Sequence, residues 1–83
     1  MSLAFASAPM SAEQARAESI GYQALAYVGK RLPLQVLCSA AGHYIGTADA
    51  DGPVSRESAS YFRSHHAADQ ALRTGRWQQR LNP

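Results

Sequence analysis

The stretch 34–47, LQVLCSAAGHYIGT, decides the fold of this chain. Leu34, Val36 and Cys38 alternate with Gln35 and Ser39, and β-compatible residues resume at Tyr44. Between these runs, Ala41 and Gly42 offer a turn in which glycine can take a positive φ. The stretch therefore predicts a hairpin with strands near 34–40 and 43–48, and the strands are antiparallel because their connection is too short for a crossover.

Helices are predicted on both sides of the hairpin. Ser11 and Gln14 form a capping-box pattern, and helical spacing of apolar residues continues until Pro33 forbids it, so a first helix is expected over 12–31. The stripe expected to pack on the sheet or on a second copy is rich in small residues and comprises Ala17, Ile20, Gly21, Ala24, Tyr27, Val28 and Arg31. Ser64 as N-cap and Gly75 as a left-handed end predict a second helix over 65–74.

A third strand completes the expected architecture. Asp49 to Pro53 is a turn cluster, and Val54 to Ser58 can form a short strand after it. The predicted order is α-β-β-β-α, which is an α+β fold with a small antiparallel sheet packed against helices. We expect residues 1–10 to be a flexible lead-in and residues 11–83 to form a single domain.

Length and composition limit the classes of protein to consider. A chain of 83 residues has room for one small core, and its single cysteine, Cys38, excludes an internal disulfide. Cys38 lies in an apolar run, so we expect it to be a buried small hydrophobe. A lone thiol, no apolar run of about 20 residues and no signal-peptide pattern together predict a cytoplasmic chain without a membrane segment.

No motif for catalysis, metal binding or cofactor binding is present. His65 and His66 point about 100° apart on a helix, and neither a cysteine nor a further histidine follows them at i+3 or i+4. Asp49 to Gly52 resembles part of a calcium loop, but Ser58 occupies the position that needs a glutamate. The sequence therefore predicts no catalytic residue, no metal and no cofactor, and we expect that the protein is not an enzyme.

One set of side chains could form a binding face. It combines arginines with aromatic residues near Tyr61 and Phe62, and its candidate residues are Arg56, Arg63, Arg73, Arg76, Trp77 and Arg80. Arginine beside aromatic planes suits protein interfaces and also suits phosphates and stacked bases. The alternative is structural: the aromatic residues hold the second helix on the sheet, and the arginines only solubilise it. With a net charge of +2, nucleic acid is neither required nor excluded.

Two resemblances bear on function. The pattern GHYIGT at 42–47, GPVSRES at 52–58 and the segment from Tyr61 to Pro83 resemble an uncharacterised family of small proteobacterial proteins associated with mobile elements, which implies a bacterial cytoplasmic module and no particular activity. The α-β-β-β-α order is similar to that of double-stranded RNA-binding domains and of HicA-like toxins. His65 and His66 stand where the former carry paired lysines, and the serine that precedes the histidine in the toxin motif is absent before His43.

Together these observations predict a non-catalytic module that binds proteins and self-associates, most simply as a homodimer. So short a chain without disulfide or metal has a thin core, which association would supplement. The alternative from another class is an RNA-binding module, or a HicA-like ribonuclease, that uses His43 and the arginine and aromatic residues.

Overall fold

The structure, a computed structural model, describes residues 10–82, and most of the expected lead-in, residues 1–9, lies outside that range. The predicted hairpin is present as β1 (Gln35–Ser39) and β2 (Gly42–Asp49), which pair antiparallel with Leu37 opposite Tyr44. Gly42 has φ +133°, a conformation that side-chain-bearing residues rarely adopt, and this allows β2 to start directly after the two-residue turn.

The third strand, β3 (Gly52–Arg56), pairs antiparallel with β2, so β2 is central and the strand order is β1-β2-β3. The register shifts between Thr47 and Ala48, which leaves Val54 as an extra residue on β3 and makes a β-bulge. The elements confirm the predicted α+β class and the α-β-β-β-α order.

The second predicted helix is confirmed as α2 (His65–Thr74), with the Ser64 hydroxyl accepting from the amide of Ala67 and Gly75 at φ +74°. This helix packs on the face of the sheet that carries Ile45. The core consists of Ile45, Ala71 and Trp77, and the partly buried side chains of Leu34, Phe62 and Leu72 pack against them. Burial of these apolar groups is the main stabilising term for so small a fold.

The predicted helix over 12–31 is wrong as a continuous element. The capping box is present, but α1 spans only Ala12–Ala17, and Ser19 turns into the left-handed region with φ +57°. Helical structure resumes at Tyr22 and includes a π-helical segment, Ala24–Val28, which ends at Gly29. The break occurs because residues 19–21 pair with residues 32–34 through backbone hydrogen bonds instead of continuing the helix.

Buried Glu57 explains where the second helical segment begins. Its carboxylate accepts from the backbone amides of Gln23 at 2.8 Å and Ala24 at 3.1 Å, and from the side chains of Ser55 and Gln79. The two amides belong to the first turn of that segment, whose amides have no partner within the helix. A Cβ on Gly21 would lie 2.6 Å from Glu57 Oε2, so the chain enters this turn against the carboxylate only because residue 21 is glycine.

The C-terminal tail is fixed against the end of β3. Gln79 bridges antiparallel to Ser58, and the amide of Arg80 donates to the carbonyl of Glu57 at 2.7 Å. The Arg16 guanidinium lies 4.0 Å from the centre of the Trp77 ring and donates to the Trp77 carbonyl, so α1 is joined to the same tail. Trp77 is thereby a core residue.

Five residues expected to be buried or to lie on the packing stripe are exposed, namely Ala17, Tyr27, Val28, Arg31 and Cys38. Cys38 is exposed because it lies beside the hairpin turn on an edge strand, and the expectation that it is buried is wrong. Tyr27 and Val28 are 52% and 50% exposed, because the break after α1 rotates the later helical segment away from the predicted stripe. Gly21 and Ala24 of that stripe are buried as expected.

The turn between β2 and β3 is held by its own polar groups. Asp49 accepts from the amide of Asp51 and pairs with Lys30. The Lys30 hydrogen bond is the main cause that holds the pKa of Asp49 below its ordinary value. The residues that resemble part of a calcium loop therefore connect β2 to β3.

Within residues 10–82, none of the helices has the length and apolar character that a membrane span requires.

Candidate interaction surfaces

The outer edge of β1 offers unpaired backbone groups. On the central strand β2, the backbones of His43 and Ile45 bond toward the β3 side, to Phe62 and to Glu57 and Ser58. Their neighbours on β1, Cys38 and Val36, therefore belong to the non-hydrogen-bonded pairs of the β1–β2 ladder and direct their N–H and C=O groups outward. No residue of the described chain pairs with these groups, since β1 has β2 as its single neighbour in the sheet.

The β1 edge lacks three of the features that usually prevent edge pairing. The strand Gln35–Ser39 contains no charged residue, no proline and no bulge. Natural sheets protect such edges with those features, and an unprotected edge is a template for another strand. The opposite edge is protected, since β3 contains Pro53, Arg56 and the bulge at Val54, and the tail covers its end.

The sheet face opposite α2 carries a small aromatic group. Tyr44 is buried at 7% exposure and meets Tyr61 edge to face at 5.9 Å, while the Arg56 guanidinium lies 4.7 Å from the centre of the Tyr61 ring. Leu37 is the cross-strand neighbour of Tyr44 and shares this face. An apolar row thus extends across the sheet to the β1 edge.

A pocket lies on the opposite edge of the sheet, between β3 and the π-helical segment. Its volume is about 180 Å³, and its lining residues are Gln23, Tyr27, Val28, Val54, Ser55, Arg56 and Arg80. Tyr27 donates a hydrogen bond to the carbonyl of Leu81 at 3.2 Å, and Leu81 is itself 57% exposed. Exposed apolar side chains therefore border a pocket that contains two arginines and no acidic residue.

The predicted arginine and aromatic set does not form one face. Arg56 and Arg80 are brought together, with Arg80 Nη1 donating to the Arg56 carbonyl at 3.1 Å. Trp77 is in the core, as the structural alternative held. Arg63, Arg73 and Arg76 are exposed, and Arg73 pairs with Asp69 on its own helix.

Histidine, cysteine and serine side chains are placed as follows. His43 is the cross-strand neighbour of Cys38, and its ring meets that of His65 edge to face at 6.2 Å. The Cys38 thiol contacts the Ser39 carbonyl at 3.8 Å, and within residues 10–82 no hydrogen bond joins it to an imidazole. Ser58 Oγ links the Ile45 amide to the Ser60 carbonyl. No group of three metal-ligating side chains is gathered in the described part of the chain.

Sequence reasoning missed three features of these surfaces. Glu57 gave no signal, because its partners at residues 23 and 24 are more than thirty positions away. The exposure of Tyr27 and Val28 was hidden by a helical spacing that the fold interrupts at Ser19. Leu81 could have been noticed as an apolar residue in a polar tail.

Comparisons of the chain with models of protein families, with curated proteins and with solved structures found no match.

Proposed function

We propose that this chain is a non-catalytic protein–protein interaction module that forms a homodimer by pairing β1 with the β1 strand of a second copy. The observation that carries the proposal is the uncharged, proline-free edge at Val36 and Cys38, whose backbone groups point outward. An identical strand can satisfy that edge about a two-fold axis, since such an interface is self-complementary.

One register uses the whole strand. In this register Leu37 faces Leu37 of the partner subunit. Val36 then exchanges backbone hydrogen bonds with Cys38 of the partner subunit, and Cys38 does so with Val36 of the partner subunit. Any other antiparallel register leaves part of the five-residue strand without a neighbour. In this register the apolar row of Leu37 and Tyr44 continues into the second subunit, so apolar burial is added to the backbone bonds.

The thin core supports association. The buried hydrophobic residues of the described chain are four alanines and three larger residues, Tyr44, Ile45 and Trp77. Small domains with little buried area and no disulfide or metal commonly gain stability by association.

A non-catalytic role in the cytoplasm is consistent with the polar side chains. Ser55 and Ser58 are used in hydrogen bonds that join strands and loops, and buried Glu57 holds a helix start. The exposed free thiol of Cys38 suits a reducing compartment, where it stays unpaired. Protein is favoured over nucleic acid because Trp77, the largest aromatic of the arginine set, is buried and Arg56 already covers Tyr61.

The first test is the effect of a charge on the β1 edge. Cys38→Lys places a cation on an exposed edge position, where lysine opposes strand pairing. We expect the wild-type chain to have twice the monomer mass by light scattering in reducing buffer, and Cys38→Lys to have the monomer mass with unchanged circular dichroism.

Two controls accompany this test. Gln78→Lys adds the same charge at an exposed residue of the tail and should remain dimeric. Cys38→Ser should also remain dimeric, because the proposed contact uses the backbone and not the thiol. A wild-type chain that is monomeric at every concentration would contradict the proposal. Equal loss of dimer in Cys38→Lys and Gln78→Lys would contradict it as well.

A further inference from the structure

The pocket between β3 and the π-helical segment is a second surface, on the sheet edge opposite β1. Dimerisation through β1 therefore leaves it open. Tyr27 and Val28, which line it, are each at least half exposed, and they are two of the four exposed large hydrophobic residues in the described chain. Exposed apolar side chains that cluster beside a pocket mark binding surfaces more often than scattered ones do.

The size of the pocket limits what can enter it. Pockets for metabolites and other small molecules usually occupy about 300–1,000 Å³. A volume of about 180 Å³ is below that range and suits one apolar side chain of a larger partner. Tyr27, Val28 and Val54 supply the apolar walls for such a side chain.

The charge of the pocket indicates what should lie next to that side chain. Arg56 and Arg80 belong to the lining. The Arg56 guanidinium lies over Tyr61 and donates to the carbonyls of Ser58 and Ala59, so Arg80 is the arginine that can meet a partner. Arg80 Nη1 donates to the Arg56 carbonyl, and no carboxylate of residues 10–82 forms an ion pair with Arg80. Arginine binds carboxylates with a planar, two-pronged geometry. An acidic group beside the apolar side chain would therefore find a complementary charge.

The β-bulge at the pocket limits how a partner can bind. Val54 is the extra residue of the β-bulge, and such a residue is left out of the ladder with the neighbouring strand. Val54 thus has no opposite residue on β2, and the bulge prevents continuous strand addition along β3, so a bound segment must rely on its side chains.

We infer that this pocket binds an extended peptide segment of a partner protein in which an apolar side chain is followed or preceded by a carboxylate. The apolar side chain occupies the space between Val28 and Val54, and the carboxylate contacts Arg80. This inference adds a second surface to the proposed dimer and does not depend on the pairing of β1.

The test begins with selection of a random linear dodecapeptide library, displayed on phage, against the immobilised full chain. We expect enriched peptides with an apolar residue next to aspartate or glutamate. A synthetic peptide of the enriched sequence should lose about tenfold or more in affinity for Arg80→Gln and for Val28→Ser, measured by fluorescence anisotropy, because charged contacts and apolar anchors dominate such interfaces.

Arg76→Gln is the matched control, since it removes the same charge from an exposed residue outside the pocket and should leave affinity unchanged. Val28 is half exposed, so we expect Val28→Ser to fold, and this variant alone can test the inference if Arg80→Gln does not fold. No enriched peptide, enriched peptides without acidic residues, or equal weakening by Arg76→Gln and Arg80→Gln would overturn the inference.

One further outcome separates this surface from the dimer interface. If Val28→Ser converts a dimeric chain to a monomer, the pocket is occupied by the second copy and not by a peptide of another protein, which also overturns the inference. If peptide binding fails while the dimer is retained, the proposed dimer stands without it.

Discussion

Replacement of Glu57 by alanine is expected to destabilise the protein by about 2–6 kcal/mol, since it leaves two buried backbone amides without an acceptor and each costs about 1–3 kcal/mol. These amides belong to Gln23 and Ala24 in the first turn of the second helical segment. Ser55 keeps a partner in Thr47, so its hydroxyl adds little to the loss. The measurement is urea unfolding followed by circular dichroism.

Glu57→Gln separates hydrogen bonding from packing because it keeps the shape of the side chain. Each carboxylate oxygen accepts from one backbone amide, so either orientation of the glutamine presents an NH₂ group to a backbone donor. We expect a loss smaller than that of alanine but above about 1 kcal/mol. Glu13→Gln, at an exposed site, is the control. Wild-type stability in Glu57→Gln would contradict this account of the helix start.

Gly46→Ala is the second substitution with a large expected effect. A Cβ on Gly46 would lie 2.3 Å from the Ser55 carbonyl oxygen and 2.8 Å from the ring of buried Tyr44. The first of these atoms belongs to the backbone of β3, so the strand must move. We expect the loss to reach the upper part of the usual range for overpacking, about 2–3 kcal/mol, with weakened pairing of β3.

Gly29→Ala provides the comparison for Gly46→Ala. Gly29 has φ +76° and nothing within 4 Å of an added Cβ, so its substitution introduces conformational strain without a clash. Urea unfolding should rank Gly46→Ala as the more destabilising change. The reverse order would show that β3 can shift freely and that its close approach to β2 is not required.

Local signals were sufficient for several elements. The capping box at Ser11, the α2 boundaries at Ser64 and Gly75, and the hairpin are each set by residues within a few positions of one another, so sequence patterns predict them. The third strand was also predicted, shifted by two residues toward the turn.

Long-range contacts determine the features that the sequence did not predict. The break after α1 depends on the pairing of residues 19–21 with residues 32–34 and on Glu57, and no local pattern contains either. The exposure of Cys38 depends on β1 being an edge strand, which the sequence of one strand does not reveal. The interaction surfaces were hidden for the same reason, because an edge and a pocket are properties of the assembled sheet.

Disulfide trapping across the proposed interface tests the central claim most directly. In the proposed register Leu37 of the two subunits forms a non-hydrogen-bonded pair, whose Cα atoms lie about 4.5 Å apart and within disulfide range. The two Cys38 residues are diagonal neighbours about 8 Å apart, which is beyond that range.

We predict that the double variant Leu37→Cys, Cys38→Ser becomes a covalent dimer when oxidised glutathione is added to the folded chain, and that the wild type, with Cys38 alone, cross-links far more slowly. The amount of covalent dimer over time on a non-reducing gel gives both rates. Faster cross-linking through Cys38, or none through position 37, would contradict the pairing of β1 with a second copy in this register.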